Sequence, residues 1–208
     1  MDRAAPQSGD RDRQDDYAEL RAAPRITMLI RPAKLTTLEG EFVCVIRDVS
    51  STGVSLRLFH PPPIGQRATL ETEAGQAMEM ERVWARGKDA GFRFAEPIDV
   101  AELVSGQSRF PKRKLRLTIE LPVILSLVGQ EHHAIVRNLS QQGARIECEQ
   151  RIAIDQIVRL RAEHLPEVRA KVRWRRGSEY GLVFEDTFLL AEFAELAALL
   201  QSPSLMLR

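Results

Sequence analysis

From Ile26 onward, apolar and polar residues interleave in short runs with the two-residue period of half-buried strands. Ile26 to Ile30 and Phe42 to Ile46 are apolar and β-branched, and the turn-prone Glu39-Gly40 between them predicts an antiparallel pair. Val54 to Leu58 alternates strictly, Arg67 to Glu73 and Met78 to Trp84 resume the alternation, and Gly91 to Phe94 closes it. His60-Pro61-Pro62-Pro63-Ile64-Gly65 is too rich in proline for a central strand and reads as a rigid connection. Short strands at this spacing predict a small barrel, and Pro97 to about Val104 predicts a short helix after it.

The same grammar then restarts. Leu115 to Ile119, Val123 to Val128, Ala134 to Val136, Ala144 to Cys148, Ile157 to Arg161, Val168 to Trp174 and Gly181 to Phe184 all read as strands. Thr187 to Leu200 carries apolar residues at Leu189, Phe193, Leu196, Ala197 and Leu200, a helical stripe expected to cover its own domain. A dimer-forming helix is the alternative, so monomer and dimer both stay open. Trp84 and Trp174, Gly91 and Gly181, and Phe94 and Phe184 each lie 90 positions apart. A period of that length suits two tandem domains and not a stacked solenoid. The expected layout is a mobile tail over 1–20, a first domain over 21–104, a linker over 105–108 and a second domain over 109–208.

Composition changes this picture little. With 208 residues, 44% hydrophobic and 28% charged, and a net charge of +1, the chain has apolar material for two modest cores and no bulk pull towards polyanions. The apolar runs are too short to span a membrane and Met1 to Leu20 lacks a signal-like stretch, so no membrane insertion and a cytoplasmic location are expected. Cys44 and Cys148 sit in strand-like apolar runs at non-equivalent positions and read as reduced core thiols. His60, His132, His133 and His164 have no ligand partners at metal spacing and read as surface residues; no metal, cofactor or catalytic residue is expected, and the protein is not read as an enzyme. Arg173-Trp174-Arg175-Arg176 reads as a solvated turn, so no nucleic-acid partner is expected.

One constellation occurs twice. Asp48-Val49-Ser50-Ser51-Thr52-Gly53 recurs as Asn138-Leu139-Ser140-Gln141-Gln142-Gly143. Upstream, Arg21-Ala22-Ala23-Pro24-Arg25 recurs as Arg109-Phe110-Pro111-Lys112-Arg113, with 22 residues between the halves in the first copy and 24 in the second. Paired arginines offer ten N–H donors, suited to phosphate or to a base edge. The short turn brings an acid or amide, a hydroxyl and a glycine into one corner.

An Arg-x-x-x-Arg followed by (Asp/Asn)-x-Ser-x-x-Gly, with the late Trp and the Gly-x-x-Phe strand, resembles the PilZ domain, a receptor module for cyclic di-GMP. The resemblance covers residues 21–104 and 109–200. It implies a mainly β chain of two tandem six-stranded antiparallel barrels, each with a C-terminal helix. It also implies that Arg21 and Arg25, or Arg109 and Arg113, hold guanine edges and phosphates, and that Asp48 or Asn138 bonds a guanine. Ser50 or Ser140 would support the ligand, and Gly53 or Gly143 would allow the turn and a close approach. Chemistry agrees, because a guanidinium fork suits both phosphate oxygens and the guanine O6/N7 edge. One such contact supplies about 1–3 kcal/mol and micromolar binding needs about 8 kcal/mol, so several must act together. The expected function is a cyclic di-GMP receptor that changes its interdomain arrangement and signals to a protein partner. The alternative is an interaction scaffold with one or both nucleotide sites inactive.

Overall fold

The computed structural model describes residues 26–63, 65–105 and 115–207. Both arginine pairs, Arg21 with Arg25 and Arg109 with Arg113, lie outside the described residues. So do the expected tail and all of the expected linker but Ser105.

Twelve strands form two closed antiparallel barrels. The first contains β1 (Ile26–Thr37), β2 (Gly40–Val49), β3 (Gly53–Leu58), β4 (Arg67–Thr72), β5 (Ala77–Arg86) and β6 (Asp89–Phe94), in the spatial order β1-β2-β3-β6-β5-β4. The second contains β7 (Leu117–Leu127), β8 (Gln130–Ser140), β9 (Gly143–Glu147), β10 (Ile157–Ala162), β11 (Leu165–Arg176) and β12 (Glu179–Phe184), in the equivalent order β7-β8-β9-β12-β11-β10. Closure removes the open edges on which β-proteins aggregate. Helix α1 (Val100–Ser105) follows the first barrel, and α2 (Leu190–Gln201) with a 3-10 turn (Pro203–Leu207) follows the second.

Alternation explains the cores. Along β3, Val54, Leu56 and Leu58 point in, and along β10, Val158 and Leu160 do. Cys44 and Cys148 are buried free thiols whose Sγ atoms face the carbonyls of Ala33 and His133. The expected strands Leu115 to Ile119 and Val123 to Val128 are one strand, β7, and β1 likewise runs well beyond Ile30. Pro32 and Pro122 sit inside these strands just past register breaks between Thr27 and Arg31 and between Thr118 and Leu121. A proline in a strand is tolerated beside such a bulge, but it erases the local alternation.

Three expectations need correction. Helix α1 starts at Val100, later than Pro97, because Asp99 Oδ1 accepts the amide N–H of Ala101 at 2.8 Å and so sets the start. The Arg173 to Arg176 cluster lies on strand β11, not in a turn, with Arg173 near Asp155 and the Arg175 guanidinium over the Tyr180 ring at 5.8 Å. Finally, His60 is buried and not a surface residue, stacked on Phe42 with ring centroids 4.8 Å apart.

Helix α2 does more than cover its own barrel. Phe193, Ala194 and Ala197 pack in the second core, whereas Ala198 and, after the helix, Leu205 pack in the first. Val43 of β2 in turn belongs to the second core. The helix is thus buried on adjoining sides: the expected stripe of Phe193, Leu196, Ala197 and Leu200 packs on the second core, Ala198 on the first, and Leu189, just before the helix, is exposed. A polar knot fixes the seam. Gln201 Oε1 accepts the Glu41 amide N–H at 2.9 Å and Gln201 Nε2 donates to the Glu41 carbonyl at 2.6 Å, so the side chain mimics a strand edge. Glu41 Oε2 accepts the amide N–H of Thr118 at 2.6 Å, while Lys34 Nζ lies 3.4 Å from Glu41 Oε1 and 2.8 Å from Glu71 Oε2.

His60 gives the first barrel an acid-sensitive point. Its Nδ1 donates to the Pro61 carbonyl at 2.7 Å, which leaves Nε2 unprotonated, buried and without a partner. Burial lowers its pKa, only partly offset by the Pro61 carbonyl. Below about pH 6.5 the unfolded chain therefore binds a proton that the folded one refuses, and stability falls as pH drops towards the depressed folded value. The melting temperature is expected to fall more steeply from pH 7 to 5 in the wild type than in His60→Leu; parallel losses would refute the assignment.

Candidate functional site

The site begins with the turn after β2 and its copy after β8. Ser50 N–H donates to the Gly53 carbonyl at 2.8 Å, and the Ser50 hydroxyl donates to the same oxygen at 3.3 Å. Ser140 Oγ donates to the Gly143 carbonyl at 3.0 Å. Each turn is then docked on the last strand of its barrel. Phe94 N–H donates to Thr52 O and Phe184 N–H to Gln142 O, both at 2.9 Å. The chain beyond that strand is held as well, by Ile98 N–H to Ser51 O at 2.8 Å and Phe188 N–H to Gln141 O at 3.0 Å.

The glycines are required by proximity. Neither Gly53 nor Gly143 has a positive φ. A Cβ on Gly53 would stand 2.8 Å from the Phe92 carbonyl oxygen, and one on Gly143 would clash with the Leu182 carbonyl. The serines are buried, and each spends its only hydroxyl proton inside the turn. Towards a ligand, such a hydroxyl can only accept.

Register places further residues beside the turn. Across the first barrel, Thr27, Asp48, Ser55, Gly91 and Trp84 are directly opposed on β1, β2, β3, β6 and β5. Across the second, Thr118, Asn138, Arg145, Gly181 and Trp174 make the same row. Register breaks flank it at Thr27/Arg31, Ile46/Asp48 and Arg82/Trp84, and again at Thr118/Leu121, Val136/Asn138 and Val172/Trp174. Bulges re-aim side chains and gather beside binding sites. Each indole lies over the glycine next to it, since a Cβ on Gly91 or Gly181 would strike Trp84 or Trp174 Nε1, and the two indoles remain 46% and 41% exposed. The sequence marks both tryptophans as repeat positions, but only the register puts them in one row with Asp48 and Asn138.

The two corners differ in how their polar groups are satisfied. Asp48 Oδ2 accepts the Ser55 hydroxyl at 3.0 Å. Asn138 Oδ1 is shielded from solvent and has no hydrogen-bond partner, and neither does Arg145 Nε. An unmet buried polar group costs about 1–3 kcal/mol, and the second corner carries two of them. The Arg145 guanidinium is held from the far side by Glu179, Nη1 to Oε1 at 3.0 Å. Among the described residues, no three His, Cys, Asp or Glu side chains gather as metal ligands. No helix among them is long and apolar enough to cross a membrane.

Two stretches, 19–105 and 107–202, match the PilZ domain. The chain belongs to the PilZ domain family. Each match spans one closed barrel and its following helix, so the tandem PilZ architecture implied by the repeated motif stands. No curated protein matches the sequence closely enough to count as a relative. Among solved structures, the Borreliella burgdorferi PlzA protein in complex with c-di-GMP is similar at 14% identity and TM-score 0.34, over 92% of this chain and 99% of that one. The K. pneumonia MrkH-c-di-GMP complex is similar at 12% identity and TM-score 0.36, over 84% and 89% of the two chains. Escherichia coli YcgR in complex with c-di-GMP follows at 12% identity and TM-score 0.29, over 79% and 80%. The family assignment rests on the two sequence matches.

The close approach sets a test of the PilZ corner. Gly143→Ala is expected to destabilise the protein by about 1–3 kcal/mol as an overpacked contact. Gly65→Ala, where only the Arg67 carbonyl lies nearby, at 3.9 Å, is expected to change little. Equal denaturant midpoints for the two variants would contradict the steric reading.

Proposed function

We propose that this tandem PilZ protein is a cytoplasmic, non-enzymatic receptor for cyclic di-GMP, with one site on each barrel. The observation that carries the reading is the doubly built corner, in which Asp48, Ser50 and Gly53, and again Asn138, Ser140 and Gly143, adjoin a bulged row ending in an exposed indole. Its acceptors suit guanine N–H groups, and its aromatic face suits a base. The arginines Arg21 and Arg25, and Arg109 and Arg113, supply the donors for phosphate and for guanine O6/N7. PlzA, MrkH and YcgR, to which the chain is similar, have structures with c-di-GMP bound. The alternative scaffold reading makes no use of the unmet Asn138 Oδ1, a buried acceptor that a guanine N–H would satisfy.

Calorimetric titration of the full chain with cyclic di-GMP is expected to give binding at both barrels. Arg109→Ala with Arg113→Ala removes the second event. Unchanged stoichiometry in that double variant would exclude the second site, and absence of heat together with absence of a melting shift in the wild type would sink the receptor reading.

The output in this reading is a change in the relation of the two barrels, passed to a protein partner. Thr118, five residues past Arg113, gives its N–H to Glu41 of the other barrel. Ligand capture by Arg109 and Arg113 therefore pulls on a strand that is bonded across the seam near its start. Arrangements that let arginines and corner meet gain population on binding. Small-angle scattering is expected to change between free and saturated protein, and superimposable profiles would reject the rearrangement while leaving binding untouched.

A further inference from the structure

The two rows differ most at a position that lies in neither turn motif. Ser55 stands opposite Asp48, and Arg145 stands opposite Asn138, 90 residues later. In the first copy the facing pair satisfies itself through the Ser55 hydroxyl, at 3.0 Å. In the second, the facing pair holds a buried acceptor, Asn138 Oδ1, and a buried donor, Arg145 Nε, that do not bond each other or anything else. Glu179 occupies Arg145 Nη1 and leaves the Nε edge of the fork uncommitted. Its counterpart in the first barrel, Asp89, is taken up instead by Arg57 at 2.7 Å. Next along the row, opposite Arg145, Gly181 leaves room for the Trp174 indole that lies against it.

A donor beside an acceptor is what guanine requires. Its Watson–Crick edge sets the O6 acceptor next to the N1–H donor; adenine sets its N6 amino donor and N1 acceptor in the reverse order, so with the base held in one orientation it presents a donor to the protein's donor. Asn can meet either order by turning its amide, and a hydroxyl can likewise donate or accept. An arginine carries donors alone and cannot adapt.

We propose that Arg145 is the base-reading residue of the second site, its Nε edge donating to guanine while Asn138 Oδ1 accepts from the same base. It makes the second copy stricter for guanine over adenine than the first, where Ser55 replaces it. The proposal rests on the cyclic di-GMP reading given above and adds the residue that sets its base selectivity.

The experiment uses the full chain carrying Arg21→Ala and Arg25→Ala, so that binding reports the second site. It is titrated with cyclic di-GMP and, separately, cyclic di-AMP. Adding Arg145→Ser, the residue the first barrel already accommodates, is expected to weaken cyclic di-GMP by about tenfold to a hundredfold, the worth of one fork contact. Cyclic di-AMP should change little, so the preference collapses, and Arg145→Lys should not restore it. Unchanged cyclic di-GMP affinity in Arg145→Ser overturns the assignment. So does equal weakening of both ligands with recovery in Arg145→Lys, since the residue would then act as charge alone. If the background chain binds no cyclic di-GMP, the second site itself fails and Arg145 falls with it.

Discussion

Each candidate corner exists because no side chain stands between a turn and the strand beside it. At Gly53 and Gly143 the backbone comes so near the carbonyls of Phe92 and Leu182 that even a methyl group is excluded. That contact lets the turn hydrogen-bond to the last strand of its barrel, which buries the serine and directs its proton inward. A turn anchored at both ends then holds Asp48 or Asn138 at a fixed place in the row. The polar chemistry is therefore downstream of a steric fact.

The second constraint lies between the barrels. Helix α2 contributes to both cores, and Gln201 ties its end to the backbone of Glu41. The carboxylate of that same Glu41 reaches Thr118, which lies opposite Asn138. One residue of the first barrel thus touches the helix that joins the copies and the strand that borders the second row. Through Thr118, an event at Asn138 is two residues from the seam.

What could be read in the sequence was local or repeated. Ser-x-x-Gly announces its turn because the residues that make it are neighbours in the chain, and the 90-residue offset exposes both barrels at once. Strand lengths were less legible, because Pro32 and Pro122 interrupt alternation where the ladder continues past a bulge. His60 reads as a surface residue from its proline-rich surroundings, but its Nδ1 donates to the next carbonyl and its ring stacks on Phe42. Arg145 stayed invisible for a different reason. Its importance depends on which residue faces it across the strand, and a one-residue shift of register would send its side chain to the other face.

That dependence on register also explains how two copies of one design come to differ. The ladder fixes a position opposite Asp48 and opposite Asn138 whatever side chain fills it, so substitution there alters the corner without disturbing the barrel. With serine, one oxygen of the acid already accepts a hydroxyl from within the row. With arginine, both members of the pair are left wanting, and a ligand that answers them displaces no existing bond. By the asymmetry between making a hydrogen bond and leaving one unmade, the second arrangement gains more from the right ligand and tolerates the wrong one less.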